Sequence, residues 1–265
     1  MPALETSWPA ATIPPSCSLD EVHVWAVALN VPPEKNATLA ATLSLEERER
    51  AKKFHYDQHR NRFIVGRGVL RVLLAGYLQG EPRKPGVAIS SGGSTISDVP
   101  ARLEFAYGSQ GKPRLANPQS GIHFNLAHSN DLALIAITRL GEVGVDVELV
   151  RPMPDAERIA ERFFSAGEAA SIRTVPAVSR DAAFFSLWTR KEAWLKATGD
   201  GISESLAKVE VTFLPNEIPR VLAIAADAVA AAEWSLLPLF PPAGFVGALA
   251  IHHREVRLKC WRFES

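Results

Sequence analysis

The segment Gly144-Val-Asp-Val-Glu148 constrains the fold more than any other stretch of this 265-residue chain. In an extended strand, successive side chains point to opposite faces, so the two valines face a core while Asp146 and Glu148 share the other face. Neighbouring carboxylates repel each other, and a cation between them relieves the repulsion. Mg²⁺ prefers such oxygen ligands and leaves its other positions to water and substrate phosphate. The segment therefore predicts a strand that carries either a magnesium site or a solvated acidic edge.

Composition and charge exclude several classes of protein. Hydrophobic residues make up 47% of the chain and charged residues 22%, as is typical of a soluble globular enzyme. Lys plus Arg and Asp plus Glu each number 29, and this balance argues against a nucleic-acid-binding protein. The apolar runs at residues 132–137 and 245–251 are strand-sized rather than membrane-spanning, and residues 1–18 do not resemble a signal peptide. With cysteines only at Cys17 and Cys260, these features favour a cytoplasmic enzyme that binds neither membranes nor nucleic acids.

Hydrophobic periodicity predicts strands and helices that alternate along the chain. Helical spacing predicts the two longest helices at residues 57–79, before Gly80, and at residues 180–198. Residues 127–131 are predicted to form a turn with His128 at its corner, and the turn at 139–142 is taken as the boundary between two halves, 1–140 and 141–265. The predicted strands are residues 22–29, 102–107, 122–126, 132–138, 144–148, 209–214, 232–237, 245–251 and 256–263.

Two segments have the spacing of a helix capping box. Ser44 with Glu47 and Ser165 with Glu168 can each satisfy free amides at a helix start. This gives Glu168 a structural explanation, and a role as general base is the alternative.

Several cationic side chains are candidates for binding phosphate, and each has a structural alternative. Arg50 belongs to a basic cluster that is otherwise a solvated helix face. Arg67 lies on one helix stripe with other arginines, whose guanidinium groups match phosphate geometry. Lys112 follows a glycine-containing turn, and His128 either binds phosphate or packs the turn. Lys196 is four residues after Glu192, so an ordinary helix salt bridge explains that pair equally well.

A second motif follows the Gly144 segment and reads Trp188-Thr-Arg-Lys-Glu-Ala-Trp-Leu-Lys-Ala197. The two motifs in this order resemble the paired signature of the 4'-phosphopantetheinyl transferases, in the longer class typified by the enzyme that activates surfactin synthetase. The resemblance implies an α/β (α+β) fold of two similar halves related by a pseudo-twofold, each a small, mostly antiparallel sheet with packed helices. It implies a site in the cleft between the halves. The resemblance also covers residues 44–54, 62–74, 111–113, 124–129 and 162–165.

The resemblance implies a reaction and a set of residues. Enzymes of this family move the phosphopantetheine arm of coenzyme A to a serine of an apo acyl or peptidyl carrier protein, and release adenosine 3',5'-bisphosphate. By motif position, Mg²⁺ would be held by Asp146, Glu148 and Glu192. Glu168 would deprotonate the serine, directly or through a water, and Lys196 would be the second catalytic side chain. The expected contacts to coenzyme A and its phosphates are Arg50, Arg67, Lys112, His128, Lys191 and Lys196. A monomer is expected, since both halves lie in one chain.

Two other functions use the same residues. A Mg²⁺-dependent phosphate-ester hydrolase would employ water as the nucleophile. A non-catalytic module would bind carrier proteins without needing Mg²⁺ or Glu192. Incubation with coenzyme A and an apo carrier protein distinguishes these functions from the transferase.

Overall fold

The computed structural model describes residues 8–12, 14–79, 99–199, 206–215, 217–242 and 244–264. The strands are β1 (Ala10–Ala11), β2 (Glu21–Ala28), β3 (Phe105–Tyr107), β4 (Pro113–Leu115), β5 (His123–Ser129), β6 (Leu132–Thr138), β7 (Val143–Leu149), β8 (Val209–Val211), β9 (Val221–Ile224), β10 (Ser235–Leu239), β11 (Phe245–Ile251) and β12 (Arg257–Phe263). The helices are α1 (Pro33–Ala41), α2 (Leu45–Lys52), α3 (Asp57–Gln79), α4 (Val99–Arg102), α5 (Ala156–Phe163), α6 (Ala166–Thr174), α7 (Ala177–Thr198) and α8 (Ala228–Ala231).

Two sheets form the centre of the molecule. The N-terminal sheet has the order β1-β12-β2-β6-β5, and the C-terminal sheet has the order β10-β11-β7. Each sheet has one face covered by helices, chiefly α3 on the first and α7 on the second. The remaining faces pack against each other, because Val22 and Val24 of β2 share a buried cluster with Val145 and Val147 of β7. The layers are therefore helix, sheet, sheet, helix.

The two halves repeat one topology. In the N-terminal half the first strand, β2, pairs with β6, which pairs with β5. In the C-terminal half β7 pairs with β11, which pairs with β10. In sequence, the long helix α3 lies between β2 and β5, and the long helix α7 lies between β7 and β10. Each half also has a two-stranded ribbon, β3-β4 in the first and β8-β9 in the second. The predicted mixed α/β fold with small, mostly antiparallel sheets is confirmed, and the shared strand order is what two similar halves require.

The predicted division into residues 1–140 and 141–265 needs one correction. β12 lies in the N-terminal sheet, where it pairs in parallel with β2, so that Trp261 is opposite Trp25. The central position of β2, with β6 on its other side, leaves neither of its edges free. An unpaired edge of such an apolar strand is prone to aggregation, and β12 covers it. The C-terminal residues therefore belong structurally to the first half.

The local predictions differ from the structure mainly at element ends. Both capping boxes are confirmed, since Ser44 accepts from Glu47 N, Ser165 accepts from Glu168 N, and each glutamate accepts from its serine's backbone N–H. The predicted turn at residues 127–131 is wrong in part, because β5 continues through His128 and the chain turns only at Asn130, whose φ is 51°. In the part of the chain that the structure describes, no helix is both long and apolar enough to cross a membrane.

Candidate functional site

The site is created by a close approach of helix α7 to strand β7 at Gly144. A Cβ atom at this position would lie 2.0 Å from the carbonyl oxygen of Ala193 and 2.4 Å from the backbone nitrogen of Ala197. Only glycine permits this approach of two backbones. Gly144 and Asp146 are two residues apart on β7 and so share the face that α7 covers. The close packing thus brings side chains of α7 next to Asp146.

Three carboxylates meet at this junction. Asp146 is 5% exposed and Glu192 is 4% exposed, while Glu148 stands nearer the surface. Burial raises the pKa of Asp146 to about 6, against the opposing effect of Lys196. Burial, followed by the charges of Asp146 and Glu148, raises the pKa of Glu192 to about 7. The helix acid and the strand acids are therefore close enough to destabilise one another's charge.

Lys196 offsets this charge only in part. Its Nζ atom donates to Asp146 Oδ1 at 2.6 Å, and its side chain remains 30% exposed. Asp146 Oδ2 and Glu192 Oε1 are buried and have no hydrogen-bond partner among the described residues. A buried polar atom without a partner costs about 1–3 kcal/mol, and more when charged. Such a pair of oxygens is the arrangement that a bound cation would stabilise.

The donor set fits a hard divalent cation. Carboxylate oxygens without thiolate or imidazole suit Mg²⁺. Glu148 is oriented by Ser129, whose hydroxyl donates to it at 2.7 Å. Within the described residues, the three carboxylates do not each have an oxygen within 4.8 Å of the other two. Asp146 Oδ1 is meanwhile held by Lys196, so side chains must move to gather the three carboxylates around one ion.

His128 and Lys196 stand at the border of the carboxylate cluster. His128 lies on β5 with an exposed side chain. Partial burial of the ring, and then the positive charges of Lys196 and Arg62, lower the pKa of His128. The ring is therefore neutral at neutral pH and can donate one hydrogen bond to a substrate oxygen. Arg62 itself is anchored, since it donates to Asn130 Oδ1 at 3.0 Å.

Two predicted site residues have structural roles instead. Lys191 is 0% exposed, and its ammonium donates to the carbonyls of Leu206 and Val209 and lies 2.5 Å from Glu168 Oε2. Glu168 is 6% exposed and accepts from Ser165 N and from Val211 N, both at 3.0 Å. All donors of Lys191 and both oxygens of Glu168 are thus in use inside the C-terminal half. The structure therefore gives both residues a structural role, and their predicted roles toward substrate stay predictions.

Lys112, a predicted phosphate contact, has protein partners in this structure. Its ammonium donates to Glu142 Oε2 at 2.5 Å and to the carbonyl oxygens of Val143 and Ala197, both at 3.2 Å. An ammonium group has three donors, so none is left for a phosphate in this conformation. Lys112 instead links the β3-β4 ribbon to the start of β7 and the end of α7.

The predicted arginine contacts are also engaged differently from expectation. Arg67 donates to Glu47 and, at 3.0 Å, to the Tyr107 hydroxyl, and its guanidinium lies 4.2 Å from the ring centroid of Phe105. Glu47 therefore neutralises Arg67 in this structure. Arg50 is exposed, and its guanidinium lies 5.3 Å from the Phe63 ring centroid. Arg50 is therefore open to solvent, and its predicted contact with the 3'-phosphate of coenzyme A stays a prediction.

Sequence reasoning missed two residues that position β7. Asn125 Oδ1 accepts from Val145 N at 3.0 Å, and Ser129 Oγ accepts from Leu149 N at 3.1 Å. These bonds hold β5 beside β7, and they join the two sheets at the site. The signal was present in the sequence, because Asn125 and Ser129 have the same parity on β5 and therefore point to the same face.

Comparison with known proteins gives one consistent result. The model of the 4'-phosphopantetheinyl transferase superfamily matches residues 142–250. The 4'-phosphopantetheinyl transferase HetI of Nostoc sp. is 39% identical over 94% of this chain and 96% of its own length. The 4'-phosphopantetheinyl transferase psf-1 of Bacillus pumilus is 32% identical over 70% of this chain and 72% of its own. The transferase AcpT of Escherichia coli K12 is 38% identical over 45% and 58%.

The matched region contains the strand β7, the helix α7 and the three carboxylates between them. The likeness to HetI extends over nearly the full length of both chains. The chain therefore belongs to the 4'-phosphopantetheinyl transferase superfamily.

Proposed function

We propose that this protein transfers the 4'-phosphopantetheine arm of coenzyme A to a serine of an apo acyl or peptidyl carrier protein. The reaction releases adenosine 3',5'-bisphosphate and depends on Mg²⁺ held by Asp146, Glu148 and Glu192. Family membership supports the transfer, and the observation that carries the Mg²⁺ assignment is the pair of buried, unpartnered oxygens on Asp146 and Glu192. Their elevated pKa values reflect the same unbalanced negative charge.

The side chains around the carboxylates have distinct roles in this proposal. The cation, when bound, neutralises charge on the diphosphate oxygens of coenzyme A. Lys196, which now donates to Asp146, has a partly exposed ammonium that can turn to a phosphate oxygen or to the departing bisphosphate. Neutral His128 donates a hydrogen bond to a phosphate oxygen. Ser129 keeps Glu148 in place.

The proton of the attacking serine goes to a group other than Glu168. Both oxygens of Glu168 already accept hydrogen bonds, and its side chain is 7% exposed. A general base must come within hydrogen-bond reach of the proton it accepts. Neither oxygen of Glu168 is free to accept that proton in this conformation.

Intact mass measurement of carrier proteins tests the proposal. The protein is incubated with coenzyme A, Mg²⁺ and a panel of apo acyl and peptidyl carrier proteins, and a carrier serine that gains the phosphopantetheine mass supports transfer. Glu192→Gln is expected to remain folded and to lose about 100-fold or more in turnover, the usual effect of removing one charge-stabilising group. Glu46→Gln, at an exposed glutamate of α2, is the matched control. A folded Glu192→Gln protein with full turnover would refute the metal assignment.

The other outcomes of the same assay identify the rival functions. Cleavage of coenzyme A without a mass gain on any carrier indicates a hydrolase. Carrier binding that needs neither Mg²⁺ nor Glu192 indicates a non-catalytic module. We propose further that the enzyme is a monomer, because β5, β7 and α7 of one chain supply all of the proposed site residues. Its two cysteines, with no metal or redox spacing, favour the cytoplasm. Light scattering during gel filtration tests the monomer.

A further inference from the structure

A second group of potential metal ligands lies away from the carboxylate cluster. Cys17, Glu21 and His23 each offer a ligand atom, and these three atoms all lie within 4.8 Å of one another. Glu21 is 2% exposed and His23 is 0% exposed, while Cys17 is partly buried. The group lies where the segment before β2 crosses the helix-covered face of the N-terminal sheet, which is the face opposite the C-terminal sheet.

His23 is oriented as metal-binding histidines usually are. Its Nδ1 atom lies 2.7 Å from the hydroxyl oxygen of Tyr77, which accepts a hydrogen bond from Trp25 Nε1 at 2.9 Å. Its Nε2 atom lies 3.0 Å from Glu21 Oε2. Ligating histidines almost always have the second ring nitrogen fixed by an outer partner, and this partner sets the tautomer. Tyr77 is such a partner here, and it leaves Nε2 directed at Glu21 and Cys17.

Glu21 and Cys17 complete a mixed set of donors. Burial alone would raise the pKa of Glu21, but hydrogen bonds from Lys259, His23 and the Ser18 backbone outweigh it and lower the pKa to about 2. Glu21 is therefore already a carboxylate. Burial, and then the charge of Glu21, raise the pKa of the Cys17 thiol to about 11, so the thiol is protonated until a metal replaces its proton.

We propose that Cys17 Sγ, the Glu21 carboxylate and His23 Nε2 form a binding site for a thiophilic divalent cation of the Zn²⁺ type. One sulfur, one nitrogen and one oxygen ligand suit Zn²⁺ rather than Mg²⁺, and three protein ligands leave a fourth position for water. Binding forms a metal–sulfur bond and releases the thiol proton to solvent. The imidazole stays neutral by a change of tautomer, in which the proton on Nε2, now donated to Glu21, is replaced by the metal and Nδ1 carries the proton instead. Nδ1 then donates to the Tyr77 oxygen, and the hydroxyl hydrogen of Tyr77 turns away from the ring.

The surroundings can accommodate the added positive charge. Two cations pair with Glu21 Oε1: Lys259 Nζ lies 2.7 Å from it and Arg257 Nη2 lies 3.2 Å from it. Their side chains are 46% and 62% exposed, so both charges can move into water when a metal binds. Glu21 keeps its other oxygen, Oε2, on the side of His23. A metal at this position ties the segment around Cys17 to strand β2, which is a structural role rather than a catalytic one.

Cobalt substitution tests this site in the full-length protein. After removal of metals by a chelator, titration with Co²⁺ is expected to produce a thiolate-to-cobalt charge-transfer band, and Zn²⁺ is expected to abolish it. The band should be lost in Cys17→Ala and retained in Cys260→Ala, which removes the other cysteine. It should also be retained in Glu192→Gln, because a cluster of carboxylates cannot give a thiolate band.

A folding control accompanies the cobalt titration. Circular dichroism confirms that Cys17→Ala is folded, and Cys17→Ser provides a closer isostere if it is not. Absence of the band in the wild-type protein, its survival without the Cys17 thiol, or its loss in Cys260→Ala overturns the proposal. Because the readout is spectroscopic, it is independent of whether the protein transfers phosphopantetheine.

Discussion

Replacing Gly144 with alanine is expected to separate α7 from β7 and to damage both stability and turnover. The added Cβ would lie 2.0 Å from Ala193 O, whereas carbon–oxygen contacts ordinarily lie at about 3.3 to 3.6 Å, so the backbones must move apart by roughly 1.3 Å or more. Overpacking of this kind costs about 1–3 kcal/mol, and the upper end applies because backbone atoms cannot rotate away. A displacement of about 1 Å in a catalytic arrangement costs about 100-fold in rate.

The measurement combines urea denaturation with the carrier-protein assay. Gly66→Ala is the matched control, because its Cβ would meet only Leu29 Cδ2 at 3.5 Å, an ordinary contact. Gly66 lies inside α3, where alanine has the higher helix propensity. Gly66→Ala is therefore expected to raise the free energy of unfolding by up to about 1 kcal/mol. The reasoning is refuted if Gly144→Ala unfolds at the wild-type urea concentration and modifies carriers at the wild-type rate.

Two further predictions concern buried and titrating charges. Lys191→Met leaves Glu168 buried without its cation and is expected to lower the free energy of unfolding by about 3–5 kcal/mol. The double variant Lys191→Met/Glu168→Gln is expected to regain part of that loss, and urea denaturation measures both. An unchanged midpoint would contradict this role for Lys191. A hydrogen bond from His123, and then one from Lys112, lower the pKa of Glu142 from 4.5 to about 2 despite burial. Its stabilising effect is therefore complete above pH 4.5 and lost as pH falls through 2, so Glu142→Gln should show a flatter decline of stability with acid than wild type or Glu46→Gln. If stability falls equally with acid in all three proteins, the proposed contribution of Glu142 is refuted.

The sequence predicted the acidic strand and the helix acid because both depend on short-range patterns. Strand parity places Asp146 with Glu148, and helical spacing places Glu192 with Lys196. The same helical spacing bears on Lys191. Adjacent helical residues point about 100° apart, so Lys191 and Glu192 leave α7 in different directions. The family resemblance implied that Lys191 contacts phosphate, whereas the geometry of the helix determines where its side chain points.

Other features depended on contacts that no local pattern contains. The acceptors of Lys112 include Ala197, 85 residues further along the chain, and Glu47 meets Arg67 across 20 residues. The pairing of β12 with β2 joins the two ends of the sequence and was therefore assigned to the wrong half. The need for glycine at position 144 also became visible only with α7 in place.

The position of β12 has a consequence for how the protein is made. Domains generally fold as units from the N-terminus during synthesis. Here β2 acquires its second neighbour only when residues 257–263 have been translated, more than 220 residues after β2 itself. Contacts at such separation are slow to form, and until then one edge of the Val22 to Ala26 stretch stays open to nascent or neighbouring chains. A strand made late in synthesis thus completes the sheet that β2 begins.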